Sequence, residues 1–287
     1  MPDLAFHRKR FPVPDQVALS LIDVGRGDPL VILPAWSNAA ICYSDQIVDL
    51  STDWRVVAID MRGHGESEKT EHGYRVSRLA ADLYAVLEQL DLRNATLLGH
   101  SLGCSVIWSY IDLFGSERIS RLLLVDQAPT QLVQPHWTQA ERLDFGAIDT
   151  AESLFSFCEK LRGDSGWQTR RDLFAGLFTA EFPADRVELI CREIDKMPLE
   201  HAADLMLDHA TRDWRDVIRQ IQLPTLVIGA RLSVFPVQSQ AWIAGLIPGA
   251  DLKIFEADEG GSHFMCFENP RLFNRYVREF IVSVGRS

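Results

Sequence analysis

Residues 95–114 read ATLLGHSLGCSVIWSYIDLF and contain two secondary-structure signals joined by a short turn. The apolar run at 95–98 predicts a strand covered on both faces, as in a parallel sheet with helices on each side. The longer apolar run at 102–114 predicts a buried helix. Between them, residues 99–103 form the GxSxG motif GHSLG, centred on Ser101. Small residues at both ends of this motif let the chain turn sharply and lift the serine hydroxyl above the sheet.

Strand and helix signals alternate along the rest of the chain, except in one long segment. Further strands are predicted at 17–24, 30–33, 56–59, 122–125, 224–229 and 252–255, and further helices at 77–92, 238–246 and 270–284. Residues 129–223 show no clear strand and are rich in helix formers and aromatic residues. We therefore predict an α/β fold with a mostly parallel, doubly wound sheet. Its core domain would span 1–128 and 224–287, and residues 129–223 would form a helical cap domain over the carboxyl edge of the sheet.

Ser101 requires a base, because a serine hydroxyl is a weak nucleophile until its proton is removed. His263 is the candidate, since the loop GGSHF at 260–264 follows the last predicted strand and reaches the same edge of the sheet. His100 is adjacent to the serine, but the tight turn directs it elsewhere, so we expect it to pack or to line the substrate pocket. His64, in the loop DMRGHGES at 60–67, is interpreted as a hydrogen-bonded structural residue.

Four segments together resemble the α/β-hydrolase superfamily, and the resemblance covers residue 30 to the C-terminus. They are LPAW at 33–36, DMRGHGES at 60–67, GHSLG at 99–103, and GSHF at 261–264 with ENP at 268–270. The resemblance implies the α/β-hydrolase fold, with the cap inserted after the sixth strand. It also implies that Ser101 is the nucleophile and His263 the base. The backbone N–H groups of Trp36 and Leu102 would then form the oxyanion hole.

The catalytic acid is less evident, because the superfamily's commoner acid position holds no carboxylate here. That position follows the seventh strand in a G-x-x-D-x-x-x-P pattern, and residues 229–236 read GARLSVFP. Asp126 ends the sixth strand, at a site that some family members use, and we predict that it is the acid. The chain order Ser101, Asp126, His263 is that of the superfamily. A helix-capping role for Asp126 and an acid in the 256–259 loop are the alternatives.

These residues predict a carboxylic ester hydrolase that forms an acyl-enzyme on Ser101. The aromatic residues of the cap and the ring of Trp36 favour a small hydrophobic ester or lactone. The predicted pocket residues are Trp36, His100, Trp137 and Phe264, with a core position as the alternative for Trp36. No metal cluster, dinucleotide fingerprint or phosphate loop is present in the sequence, so no cofactor is implied.

Other reactions remain open on the same scaffold. The chain also resembles the cofactor-free dioxygenases of this fold, which share Trp36, Ser101 and Asp126. However, Asn38 and Leu102 stand where those enzymes carry histidines. A carbon–carbon bond hydrolase or a perhydrolase would use the same residues as an esterase. A non-enzymatic ligand receptor would tolerate loss of a triad member, and the intact serine and histidine pair argues against it.

The charge composition of the chain argues against some classes of binding partner. Lys and Arg number 29 and Asp and Glu 40, which gives a net charge of −11 and argues against nucleic acid or an anionic membrane as the main partner. The basic residues 7–10 are interpreted as a solvated edge. Five scattered cysteines without a CxxC pair suit a reducing compartment, and the N-terminus lacks the order of a signal peptide, so we expect a cytoplasmic protein. The sequence carries no signal for the oligomeric state.

Overall fold

The computed structural model describes residues 6–285 and contains one eight-stranded sheet. The strands are β1 Arg8–Pro12, β2 Ala18–Val24, β3 Pro29–Leu33, β4 Arg55–Asp60, β5 Ala95–His100, β6 Ile119–Val125, β7 Thr225–Ala230 and β8 Asp251–Phe255. Their spatial order is β1-β2-β4-β3-β5-β6-β7-β8. β2 pairs antiparallel with β1 and with β4, and the other pairs are parallel. The predicted mostly parallel sheet is confirmed.

Helices flank this sheet. They are α1 Ser44–Leu50, α2 Val76–Gln89, α3 Leu102–Phe114, α4 Gln139–Phe145, α5 Ala151–Arg162, α6 Gly166–Ala175, α7 Ala184–Ile194, α8 Leu199–Ala210, α9 Arg215–Ile218, α10 Val237–Leu246, α11 Met265–Glu268 and α12 Pro270–Val284, with 3-10 helices at Ala40–Tyr43 and Ala257–Glu259. Helix α3 begins and ends at the predicted residues because its apolar run fills the space against β3 and β5. Helix α2 packs on α3, and α1 packs on α12.

The segment between β6 and β7 is helical, as predicted, and contains α4 to α9. Two isolated bridges, Thr130 with Asp213 and Leu132 with Asp149, are the β-type pairings described within it. The division of the chain into two domains at 128/129 and 223/224 stays a prediction. None of the helices described between residues 6 and 285 is long and apolar enough to cross a membrane.

Three of the four basic residues at 7–10 are exposed at the edge of the sheet, and Arg8 is partly buried. Residues 8–12 form the edge strand β1, which the sequence analysis did not predict. Arg8 is not merely solvated, because its guanidinium pairs with the fully buried carboxylate of Asp60. Lys9 pairs with Asp23 at 2.7 Å on the neighbouring strand. Alternating partners of this kind hold a short basic segment against the sheet edge, although its composition is that of a solvated tail.

Candidate active site

Ser101 is the single residue that joins β5 to α3, and its backbone is strained. Its φ and ψ angles are 53° and −117°, a combination that non-glycine residues rarely adopt. Its N–H donates a hydrogen bond to the carbonyl of Val125 at 2.8 Å. The glycines of the motif are required by close approach: a Cβ on Gly103 would lie 2.2 Å from the Leu33 carbonyl oxygen, and one on Gly99 would lie 2.6 Å from the Gly103 carbonyl. The turn therefore holds the serine at the carboxyl edge of the sheet.

His263 lies in the loop between the 3-10 helix Ala257–Glu259 and α11, and its ring is oriented by Asp126. The distance from His263 Nδ1 to Asp126 Oδ2 is 2.6 Å, and both side chains are buried. Because a carboxylate oxygen accepts, Nδ1 carries the proton of this bond. Nε2 is then the ring nitrogen that is available as a base. The Oγ–H of Ser233 also donates to Asp126 Oδ2.

Asp126 is held by its backbone as well as by its side chain. Its φ is 48°, and its N–H donates to the carbonyl of Ile228 at 2.8 Å. Burial raises the pKa of this carboxyl, while the hydrogen bonds from His263 and Ser233 act in the opposite direction. Of the rival carboxylates in the 256–259 loop, Glu256 pairs with Arg231 and Glu259 accepts from the Glu256 N–H. Asp258 is exposed and has no hydrogen bond to His263 among residues 6–285. The geometry supports Asp126 over these alternatives.

The backbone N–H groups of Trp36 and Leu102, which are predicted to form the oxyanion hole, have no acceptor described among residues 6–285. Trp36 follows the end of β3, whose last carbonyl packs against the first turn of α3 at Gly103. Leu102 is the first residue of α3, where the helix dipole also favours negative charge. The Trp36 ring is fixed from the cap side, because its Nε1–H donates to the carbonyl of Ala202 at 2.9 Å. The assignment of these two N–H groups to an oxyanion hole stays a prediction.

A buried hydrogen-bond chain joins the loops that carry these groups. His100 Nε2 lies 2.9 Å from the carbonyl oxygen of His263, so Nε2 must be protonated and Nδ1 must be an acceptor. The Tyr43 hydroxyl, 2.8 Å from Nδ1, therefore donates to it and accepts from the Ala35 N–H at 3.1 Å. Burial lowers the pKa of His100 well below its usual value, which keeps the ring neutral. The chain ties the residues before Trp36 and Ser101 to His263 itself.

Ser101 and His263 line one cavity of about 400 Å³ between the sheet edge and the cap. Its lining is mostly apolar and includes Trp36, whose ring stacks on Phe174 with centroids 6.0 Å apart. Ile148 and Val234 also line it and are 44% and 39% exposed, so they mark its mouth. The other lining residues are Ala35, Gln131, Asp149, Ser153, Leu154, Phe157, Leu173, Leu177, Met206, His209, Phe235 and Phe264.

Of the four predicted pocket residues, the structure places Trp36 and Phe264 on the cavity and leaves His100 and Trp137 off it. His100 is fully buried in the chain described above, because the turn at Ser101 directs neighbouring side chains to opposite sides. Trp137 packs on Phe145 with ring centroids 5.0 Å apart and lies under the Arg215 guanidinium. The assignment of His100 and Trp137 to the pocket was therefore wrong.

Several functional candidates carry no signal in the sequence. Gln131, Asp149 and His209 come from separate parts of the cap, and only folding brings them to one wall of the cavity. Ser233 directly follows residue 232, the position at which the superfamily's commoner acid would stand, and this adjacency is the one sequence signal for its contact with Asp126.

His64 has the structural environment expected of it: it is fully buried and its Nδ1 lies 2.9 Å from the Arg62 carbonyl. No group of three or more candidate metal ligands occurs among residues 6–285.

The family follows from comparison with known proteins. Residues 28–270 match the family described as alpha/beta hydrolase fold. The chain belongs to the α/β-hydrolase family. It is 28% identical to a non-heme haloperoxidase of Rhodococcus erythropolis over 91% of this chain and 94% of the relative. Its fold matches an esterase from Exiguobacterium antarcticum (TM-score 0.86, 21% identity, 96% of this chain and 99% of the other) and the enol-lactonase from Burkholderia xenovorans LB400 (TM-score 0.81, 21% identity, 96% and 100%).

Proposed function

We propose that this α/β-hydrolase cleaves a carboxylic ester or lactone through a Ser101–His263–Asp126 triad. One observation carries the proposal: a serine on a strained strand-to-helix turn shares a cavity with a histidine whose far nitrogen is fixed by a buried carboxylate 2.6 Å away. The esterase and the lactonase among the proteins of similar fold are consistent with this reaction class.

The mechanism uses each group once in acylation and once in deacylation. His263 Nε2 takes the Ser101 proton while Oγ attacks the substrate carbonyl, and the N–H groups of Trp36 and Leu102 stabilise the oxyanion. Collapse expels the alkoxide, which receives that proton from His263, and leaves the acyl group on Oγ. Water then attacks the acyl-enzyme, with Nε2 again taking a proton and returning it to Oγ. Asp126 remains ionised and holds the imidazole in the tautomer with Nδ1 protonated.

The cavity supports a small substrate with an apolar body. Its volume of about 400 Å³ lies at the lower end of the range for small-molecule sites. Aromatic rings surround the base, with the Phe264 ring centroid 5.1 Å and the Phe235 centroid 5.8 Å from that of His263. Exclusion of water by these rings strengthens the interactions that stabilise the transition state.

The proposal is tested by intact-mass analysis after incubation with a fluorophosphonate. We expect one adduct on the wild-type protein, no adduct on Ser101→Ala and a much slower reaction of His263→Ala. On a panel of esters and lactones, either variant should lose at least ~10⁴-fold in kcat. Near-wild-type turnover by either variant would refute the triad. A folded protein that forms no adduct and consumes oxygen with a hydroxyquinolone would support the dioxygenase alternative instead.

A second candidate, perhydrolysis, is favoured by the haloperoxidase among the relatives. In this reaction hydrogen peroxide replaces water in deacylation, so that the acyl group leaves as a peracid. The comparison is direct: peracid and carboxylic acid are quantified from one ester at increasing peroxide concentration. Perhydrolysis as the main reaction requires that the peracid dominates at millimolar peroxide, in the presence of about 55 M water.

A further inference from the structure

One wall of the cavity is polar, although the rest is mostly apolar. It consists of Gln131, Asp149, Ser153 and His209, which all belong to the segment between β6 and β7. Backbone hydrogen bonds fix its position, since the N–H groups of Ile148 and Asp149 donate to the Gln131 carbonyl at 3.0 and 2.9 Å. The Asp149 carbonyl in turn accepts from the Val133 N–H at 2.7 Å. The Asp149 side chain is thus presented to the cavity by a braced segment.

The carboxylate of Asp149 has few stabilising contacts with the residues around it. Among residues 6–285 its side chain has one hydrogen bond, a long one of 3.4 Å from Ser153 Oγ, and no ion pair. It is not needed to cap α5, because Thr150 Oγ1 accepts the Ser153 N–H at 3.1 Å and completes a capping box. Burial without a cation raises the pKa of Asp149. A half-buried carboxylate without a partner is costly unless a ligand compensates it.

The cavity lining holds no permanent cation that could balance this carboxylate. The lining residues include neither lysine nor arginine. His209 is neutral, because burial lowers its pKa to about 4, and its Nε2 lies 2.9 Å from the Gln131 side-chain amide. The rings of Trp36 and Phe157 also line this cavity, and aromatic rings attract cations. The cavity therefore combines an apolar interior with one carboxylate that no lysine or arginine pairs with.

We propose that Asp149 is a specificity-determining residue that binds a protonated amino group on the substrate. The inference rests on the proposed function and narrows its substrate class to esters or lactones with an apolar body and an amine remote from the scissile carbonyl. Such a substrate would place its carbonyl at Ser101 and its ammonium group at Asp149. Anionic substrates would be excluded by the same carboxylate.

The test compares esters that differ in a single group. Methyl 3-arylpropanoates carrying para aminomethyl, hydroxymethyl or carboxylate substituents probe one orientation, and acetates of the corresponding benzyl alcohols probe the other. We expect kcat/KM for the aminomethyl ester to exceed that of the equally large hydroxymethyl ester by about 10-fold in at least one series, as for a partly exposed charge-assisted hydrogen bond. Asp149→Asn should abolish this ratio and Asp149→Glu should keep it. The matched control is Glu152→Gln, which removes an exposed carboxylate in the first turn of α5.

Failure of the inference and failure of the proposed function give different results. Equal kcat/KM for the aminomethyl and hydroxymethyl esters in both series, with no change in Asp149→Asn, would overturn amine recognition and leave the hydrolase intact. Calorimetry with benzylamine and benzyl alcohol gives a readout that does not require turnover. If no ester is hydrolysed but benzylamine binds the wild-type protein and binds Asp149→Asn at least ~5-fold more weakly, the amine site stands and the hydrolase proposal falls.

Discussion

Tyr43→Phe tests the buried hydrogen-bond chain that links the catalytic loops. The substitution removes one oxygen atom and leaves the ring, whose edge contacts Phe267 with centroids 4.9 Å apart. The lost hydroxyl accepts from the Ala35 N–H at 3.1 Å and donates to His100 Nδ1 at 2.8 Å. Both partners are buried, with Ala35 2% and His100 0% exposed, so two polar groups lose their hydrogen bonds at once.

The expected cost follows from these two groups. An unsatisfied buried donor or acceptor costs about 1–3 kcal/mol, so the loss of both hydrogen bonds in Tyr43→Phe should lower the free energy of unfolding by about 2–6 kcal/mol. Activity should fall as well, by about 10-fold in kcat, because Ala35 precedes the oxyanion N–H of Trp36 and His100 precedes Ser101. Urea unfolding followed by tryptophan fluorescence measures the first quantity, and steady-state ester hydrolysis measures the second.

Tyr84→Phe is the matched control for this substitution. Tyr84 is 37% exposed, against 1% for Tyr43, and its hydroxyl makes no hydrogen bond to residues 6–285. Its loss should change the free energy of unfolding by less than about 0.5 kcal/mol. If Tyr43→Phe behaved like Tyr84→Phe in both assays, the assigned direction of the bonds and the linking role of His100 would be refuted.

Three further predictions concern the turn, the acid and pH. Gly103→Ala should destabilise the fold by several kcal/mol or prevent soluble expression, because its Cβ would lie 2.2 Å from the Leu33 carbonyl oxygen; thermal unfolding measures this. Asp126→Asn should lower kcat roughly 10³- to 10⁴-fold through loss of the correct His263 tautomer, measured on the best ester. Burial lowers the pKa of His64 and His209 to about 4, so below pH 6.5 the unfolded state binds more protons. Stability should therefore fall between pH 6.5 and 5, with a slope for each of these histidines that rises toward about 1.4 kcal/mol per pH unit. His100 adds to this loss, since burial lowers its pKa as well, and a flat urea-unfolding profile in this range would contradict the burial of these rings in the neutral form.

The sheet and the nucleophile turn could be predicted from sequence because their signals are local. Short apolar runs mark the buried strands, and GHSLG between such a run and an apolar helix has few structural solutions. The limits of α3 and α12 were predicted to the residue, since Pro270 begins α12 at a position where proline is favoured. By contrast, β1 was missed because Arg8 and Lys9 resemble a solvated tail until their partners on other strands are known.

The cavity wall could not be predicted, because its residues share no periodicity. Gln131 lies just after β6, Asp149 precedes α5, and His209 is near the end of α8. The sequence around each of these residues does not distinguish it from other residues of the helical segment between β6 and β7. The prediction for Trp137 failed for the same reason: an aromatic residue in a helical cap can pack against several neighbours, and here it packs against Phe145 and Arg215. The composition of the cap predicted a mostly apolar pocket, but which residues line that pocket depends on the tertiary structure.

A catalytic role and a helix-capping role for Asp126 predict different effects of its substitution on stability, and the contacts of its side chain favour the catalytic role. A helix-capping aspartate would accept backbone N–H groups, yet the partners of this carboxylate among residues 6–285 are the side chains of His263 and Ser233. Its Oδ1 is buried without a partner, which is unfavourable for the folded state. Asp126→Asn should therefore leave the free energy of unfolding within about 1 kcal/mol of wild type while activity collapses, because a group retained for its chemistry stabilises the transition state rather than the fold. Equal loss of stability and activity would indicate a structural aspartate and would return the search for the acid to the 256–259 loop.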